Sequence, residues 1–257
     1  MALKDDIKAG REDLMKNGTL KQKIAYFFDY YKLHTVIIVA AIIFSTTFIY
    51  QIATKKDVVL NGLLLNASRF DEDNPVEDLK NGFMDHIDMS IKEYDISLNT
   101  SFTLQQGDDS GQSQTNDYQT RQAMMARCAA GTIDFISSPL GVLYDYGYGD
   151  MLVNLETVLS KEDLEKYKPY FYYVDLEVVR QKKEALDKNI FANDFPCPDP
   201  TKPEEMKEPI PVFINVSKCE KIANIYVNSS DTIVVAVAVN APNPDRISDF
   251  LAYIFEE

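Results

Sequence analysis

Five hydroxyl-bearing side chains, Ser137, Ser138, Tyr144, Tyr146 and Tyr148, fall within twelve residues. They follow directly on the apolar run Ile133-Asp134-Phe135-Ile136, which reads as a short buried strand. In open α/β sheets ligands collect at the carboxyl ends of strands. Hydroxyls and phenols at such an end suit hydrogen bonding to a polar solute or a peptide. The competing interpretation is that these tyrosines only cover the sheet edge.

Other chemistries have less material. Nucleophilic catalysis needs a nucleophile beside a positioned base. The chain has two histidines, His34 in an apolar stretch and His86 between Asp85 and Asp88. No G-x-S-x-G, H-E-x-x-H or phosphate-cradling glycine loop occurs. No catalytic residue, metal ligand set or cofactor is therefore assigned. Carboxylates are abundant, so an external hydrolase working through an acidic pair is kept as a third reading. The runs Asp71-Glu72-Asp73-Asn74 and Asp108-Asp109-Ser110-Gly111 fit no Ca²⁺ loop spacing and read as solvated turns. Of the three cysteines, Cys197 and Cys219 are a candidate disulfide that would staple the proline-rich stretch around Pro196-Cys197-Pro198. Unpaired thiols are the alternative.

These residues must be positioned by a chain of 257 residues with net charge −14, from 26 Lys+Arg and 40 Asp+Glu. With 46% hydrophobic residues it can bury a core, which rules out wholesale disorder. Its charge is the wrong sign for a nucleic-acid surface.

Leu33 to Thr54 are 22 residues without Asp, Glu, Lys or Arg. As a helix they reach about 33 Å, enough for a bilayer core of about 30 Å. Tyr30, Tyr31 and Tyr50 sit where interfacial aromatics are favoured. A cleaved signal peptide fits less well: a cut after Ala53 would put Gln51 where a small residue is wanted. Seven Lys and Arg precede the span, against Lys55 and Lys56 just after it. The positive-inside rule then places residues 1–32 in the cytoplasm, 33–54 in the lipid bilayer and 55–257 outside the cell membrane. Residues 57–257 carry 17 basic and 35 acidic side chains, a net of −18. Within the arm, two helical pieces are expected around a break at Asn17-Gly18. The second, Leu20–Tyr31, is amphipathic and suits the headgroup region or a docked protein.

Beyond Lys56, β-like runs alternate with helical ones. Val58–Leu65 is an apolar strand containing Gly62. Asn74-Pro75 opens a helix to about Met89. Tyr94–Leu104 has β character, Gln105–Asn116 reads as a loop, and Asp117–Ala130 as a helix ended by Gly131. Leu140–Tyr146 is a short helical turn, and Ser160 caps a helix with Asp163 three residues on. Phe171–Leu186 begins like a strand and ends like a helix. Phe195–Pro211 holds six prolines among 17 residues and reads as an extended loop. Val212–Val216 and Thr232–Val239 are strands, Ser217–Tyr226 a helix, and Pro244–Phe255 a closing amphipathic helix. Helices between continuous apolar strands predict a layered α/β domain with a mainly parallel sheet.

Several segments carry a resemblance to a known family. They are Met125–Gly131 (MARCAAG), Ile133–Ser137, Leu143-Tyr144-Asp145-Tyr146, Leu152-Val153-Asn154-Leu155, and Val237–Asn240 followed by Ile247–Phe255. This succession resembles extracellular solute-binding proteins of bacterial ABC importers, over roughly 90 of the 257 residues. The resemblance implies a periplasmic-binding-protein-like lobe at a bacterial cell surface. The external part is long enough for about one such lobe, where the family ordinarily has two. The functional expectation is a non-catalytic, membrane-anchored binding or interaction module. The alternative is an envelope scaffold or accessory subunit contacting other membrane proteins.

Overall fold

A computed structural model describes residues 16–68, 74–104, 111–188 and 195–256, with backbone alone for 26–32 and 111–116. The expected first helical piece of the arm lies almost wholly outside the described residues, as do Asp71–Asp73 and Asp108–Ser110. The chain divides into two units, Met1–Lys55 and Lys56–Glu257.

The long helix of the first unit, among the described residues, is α1, Leu20–Ala53. Gln22 accepts the Thr19 backbone N–H at 3.0 Å and so closes its first turn. The stretch Leu33–Ala53 is long and apolar enough to cross a membrane, and none of it is buried against other parts of the chain. Several of its threonine hydroxyls bond back to the helix. Thr47 donates to the Ile43 carbonyl at 2.8 Å and Thr54 to that of Tyr50 at 2.7 Å. Back-bonding of this kind is what makes threonine tolerable in hydrocarbon.

The second unit is a six-stranded sheet with helices on both faces. The strands are β1 (Asp57–Leu64), β2 (Tyr94–Asn99), β3 (Phe135–Pro139), β4 (Phe171–Asp175), β5 (Pro209–Asn215) and β6 (Ile233–Val237), in the spatial order β2-β1-β3-β6-β5-β4. β2 and β3 flank β1 in parallel. β6 runs antiparallel between β3 and β5, and β4 closes the edge antiparallel to β5. The sheet is therefore mixed, not mainly parallel as expected. Helices between strands imply parallel pairing only when the connection crosses back to the other end of the strands. Here three connections, β3 to β4, β4 to β5 and β5 to β6, start and finish at the same end of the sheet. The segment from β4 to β5 comes back so that Asp175 faces Pro209, and Val216, just past β5, donates to the Ile233 carbonyl at the start of β6.

The helices are α2 (Pro75–His86), α3 (Gly111–Ala129), α4 (Leu140–Leu143), α5 (Lys161–Tyr167), α6 (Leu176–Asp187), α7 (Glu220–Ala223) and α8 (Asp245–Phe255). Asn74 caps α2 by accepting Val76 N–H at 3.1 Å, with Pro75 at the first position and Glu77 and Asp78 near the positive end. Ser160 caps α5 from Asp163 N–H at 3.1 Å, as expected.

Period-two alternation splits the core across the sheet. Ile233, Val235 and Val237 of β6 join Leu60, Phe83, Phe135, Phe250 and Ile254 on one face. Val234, Ala236 and Ala238 join Leu63, Ile136, Met124, Tyr148 and Phe213 on the other. Phe250 links the first face, stacked on Phe135 at 4.5 Å and edge-on to Phe83 at 5.5 Å between centroids. Gly62 is required here: a Cβ on it would stand 2.4 Å from the Phe135 ring.

The ambiguous Phe171–Leu186 resolves at one residue. Asp175 ends β4 and caps α6, accepting Glu177 N–H at 3.0 Å. Its carboxylate also accepts Lys207 N–H at 2.9 Å and Glu208 N–H at 3.1 Å. Burial would raise its pKa, but the three backbone donors together outweigh that and hold it below the ordinary carboxylate value. The expected loop Phe195–Pro211 overlaps β5. Pro209 and Pro211 are tolerated because β5 pairs with β6 only from Phe213 onward, and a register shift against β4 falls beside Val212.

Candidate binding site

Asp134, just before β3, is fully buried. Its carboxylate accepts Asn61 N–H at 2.7 Å, the Asn61 side-chain amide at 3.1 Å, Asn243 N–H, and the Asn243 side-chain amide at 3.0 Å. It ties β1, β3 and the entrance to α8 into one knot. The sequence reading passed over it as part of a strand. The signal was there: a carboxylate inside an apolar run must have dedicated partners.

The opposite, carboxyl end of β3 runs into α4 and a 3₁₀ turn, Tyr144–Tyr148. Asp231, just before β6, accepts Gly141 N–H at 2.7 Å and Thr232 N–H at 2.8 Å, joining the two strand ends. Beside this junction opens a cleft of about 470 Å³ lined by Leu140, Gly141, Tyr144, Pro200, Ser230 and Asp231. Of the five hydroxyl residues singled out by sequence, only Tyr144 lines it.

Tyr144 and Tyr148 do come together. Their hydroxyls lie 2.9 Å apart and their rings meet edge-on at 5.4 Å. The Tyr144 hydroxyl donates to the Pro198 carbonyl. With its one proton so used, it must accept from Tyr148. Burial raises the Tyr144 pKa first, helped by the ionisable groups of Tyr148, Cys197 and Asp199 nearby. Burial raises that of Tyr148 too, against the lowering from Tyr144 and a backbone donor. Both phenols stay neutral at physiological pH. Tyr146 turns elsewhere: Arg121 of α3 sits 5.8 Å over its ring, and its buried hydroxyl has no protein partner.

Ser137 and Ser138 are fully buried and present nothing to solvent. The Ser137 hydroxyl has no protein partner, while its carbonyl accepts from Leu65 N–H at 2.9 Å and the Tyr226 hydroxyl at 2.8 Å. The Ser138 hydroxyl turns onto the Pro139 carbonyl at 3.0 Å.

The candidate Cys197–Cys219 bridge is not formed, and the alternative of unpaired thiols holds in the structure. All three cysteines are free, and these two join core clusters on opposite faces of the sheet. Proximity in sequence was misleading because β5 runs between them.

Sequence reasoning also missed Asn66. It adopts the left-handed conformation, φ 59°, which asparagine tolerates. Its side-chain amide exchanges two 2.7 Å bonds with the backbone of Leu104, pinning the end of β1 to the segment after β2. A second cleft, about 520 Å³, lies among Tyr170, Lys218, Cys219, Lys221, Phe255 and Glu256. Its Lys221 ammonium is engaged by the Tyr253 and Glu256 carbonyls at 2.7 and 2.9 Å, where it caps the end of α8.

Comparison with known proteins decides nothing further. No family model, curated protein or solved structure matches this chain. Functional reasoning therefore rests on the site itself. Among the described residues no group of three or more His, Cys, Asp or Glu side chains is arranged to hold a metal ion. His86 lies 3.2 Å from Glu256 and against the Tyr253 ring, away from the Tyr144 cleft.

Proposed function

We propose that this protein is a membrane-anchored, non-catalytic binding module, with residues 1–32 in the cytoplasm and 55–257 displayed outside. The excess of Lys and Arg before Leu33 supports that orientation. The cleft between α4 and the start of β6 takes a small polar solute, or the end of a peptide, that carries a cationic or hydrogen-bond-donating group. One observation carries this reading: a carboxylate, Asp231, and an aromatic wall, Tyr144, face one cleft of about 470 Å³ at the carboxyl end of a central strand. The net charge of −18 over residues 57–257 favours a cationic partner. The resemblance to a solute-binding lobe points the same way.

The test is thermal melting of the full chain in detergent against a panel of amino acids, polyamines and short basic peptides. At least one class raises Tm, and Asp231→Asn abolishes that rise. A flat response across the panel would overturn the reading.

A second reading, an envelope scaffold, is favoured by the outer face of α3. Tyr118 and Met125, seven residues apart, are 61% and 56% exposed. A photoreactive residue at either position captures a discrete membrane protein in intact cells if this face is an interface; capture of nothing removes the reading.

A further inference from the structure

Cys197 differs from the other two thiols. Cys128 and Cys219 are buried, and burial pushes each up to about 11, so they remain protonated and inert. Cys197 is half-buried, between Pro196 and Pro198. Two polar groups from different elements converge on its sulfur. Lys182 of α6 places Nζ at 3.1 Å, and Asp145 of the 3₁₀ turn places a carboxylate oxygen at 3.9 Å. The adjacent Lys183 reaches instead toward Asp150, at 3.4 Å.

We propose that Cys197 and Lys182 form a peroxide-responsive modification site, in which the sulfenic acid of Cys197 is captured by Lys182 Nζ as a reversible sulfur–nitrogen crosslink. The Cys197 thiol gives its proton to solvent and its sulfur attacks one oxygen of hydrogen peroxide; the O–O bond breaks, and the departing hydroxide takes a proton from Lys182 Nζ and leaves as water. The lone pair so freed on Nζ then attacks the sulfenic sulfur. An S–N bond replaces the S–O bond and a second water leaves. Sulfur is oxidised by two electrons and peroxide is reduced. A sulfenic acid ordinarily condenses with a thiol or a nitrogen in this way. No second thiol is close, because Cys128 and Cys219 are buried elsewhere, and the amine already touches the sulfur. Two equivalents of an external thiol reverse the link, forming their own disulfide.

The link would fasten the strip Cys197–Pro200 to α6. That strip supplies the carbonyl held by Tyr144, the Pro200 carbonyl that accepts Tyr173 N–H at 2.9 Å, and one wall of the cleft. The inference does not depend on any ligand entering the cleft.

The test uses the full chain in detergent, oxidised with hydrogen peroxide, digested unreduced with a Glu-specific protease and read by mass spectrometry. Cleavage after Glu177, Glu184 and Glu204 separates the two residues into Val178–Glu184 and Ala185–Glu204. The expected product is these peptides joined, two hydrogens lighter than their sum, with fragmentation locating the link at Lys182. Dithiothreitol dissolves it. In Lys182→Arg the linked pair disappears while Cys197 still yields a dimedone-trapped sulfenic acid. Oxidised wild-type protein with Lys182 unmodified, or a link located at Lys183, overturns the proposal.

Discussion

At the amino end of β3 a fully buried carboxylate has every partner it needs, whereas at the carboxyl end two fully buried serines lie near hydroxyls that remain unspent. Asp134 holds Asn61 and Asn243 through four hydrogen bonds, and its own backbone joins β1 and β6 as well. The Ser137 and Tyr146 hydroxyls are buried with no protein partner. A satisfied buried network makes structure rigid and unique, while unsatisfied buried polar groups cost stability. The two ends of the central strand thus differ in polar satisfaction, a closed network at one and unspent hydroxyls at the other.

Three measurements break or sharpen that contrast. The largest effect is expected from Asp134→Ala, which strands two backbone N–H groups and two side-chain amides in the interior. At about 1–3 kcal/mol for each buried donor left unpaired, partly relieved by relaxation, roughly 3–5 kcal/mol is lost in denaturant unfolding followed by circular dichroism. A loss under 1 kcal/mol would mean the knot is not what holds this end together.

Alkaline titration comes next. Tyr144, Tyr146, Tyr148 and Tyr226 all have pKa values raised first of all by burial. In the unfolded chain a phenol ionises near pH 10. A raised folded value means the folded state holds more protons above that pH, so stability is fully present below about pH 10 and falls as pH rises past it. Unfolding midpoints therefore hold steady from pH 8 to about 9.5 and drop steeply beyond. Tyr144→Phe lessens the drop, whereas substitutions at the Asp134 end leave its slope unchanged.

The smallest effect is expected from Ser137→Ala. Deleting an unpartnered buried hydroxyl removes a group already paying its desolvation, so stability changes by less than about 0.5 kcal/mol or rises slightly. A loss above about 1 kcal/mol would show that Ser137 is satisfied after all, and the contrast between the two ends would weaken.

Much of the fold was legible because local pattern and burial agreed. Ile247, Phe250, Leu251 and Ile254 repeat at helical spacing, and α8 runs Asp245–Phe255 where Pro244–Phe255 was expected. β6 occupies Ile233–Val237 within the expected Thr232–Val239. Local pattern failed where polarity stood in for structure. Gln105–Asn116, with no apolar residue, read as loop, yet α3 is already helical at Gly111; polar composition alone does not bar a helical backbone. Proline failed as a marker too, since Pro209 and Pro211 occupy a part of β5 that has only β4 beside it. Of the candidate site, the phenol pair was half-legible: Tyr144 and Tyr148 are four residues apart in sequence, but the Pro198 carbonyl that holds Tyr144 comes from 54 residues away.

Sequence alone determined the apolar span Leu33–Thr54, the charge asymmetry around it, the α/β alternation and the apolar face of the closing helix. All of these depend on composition and on periods of 2 or 3.6 residues, which are written locally. Only tertiary structure decided strand direction, the separation of Cys197 from Cys219, the Asp134 knot and the meeting of Tyr144 with Asp231. Each of these depends on which distant segments the chain brings back to the same edge of the sheet, and no local period encodes a return.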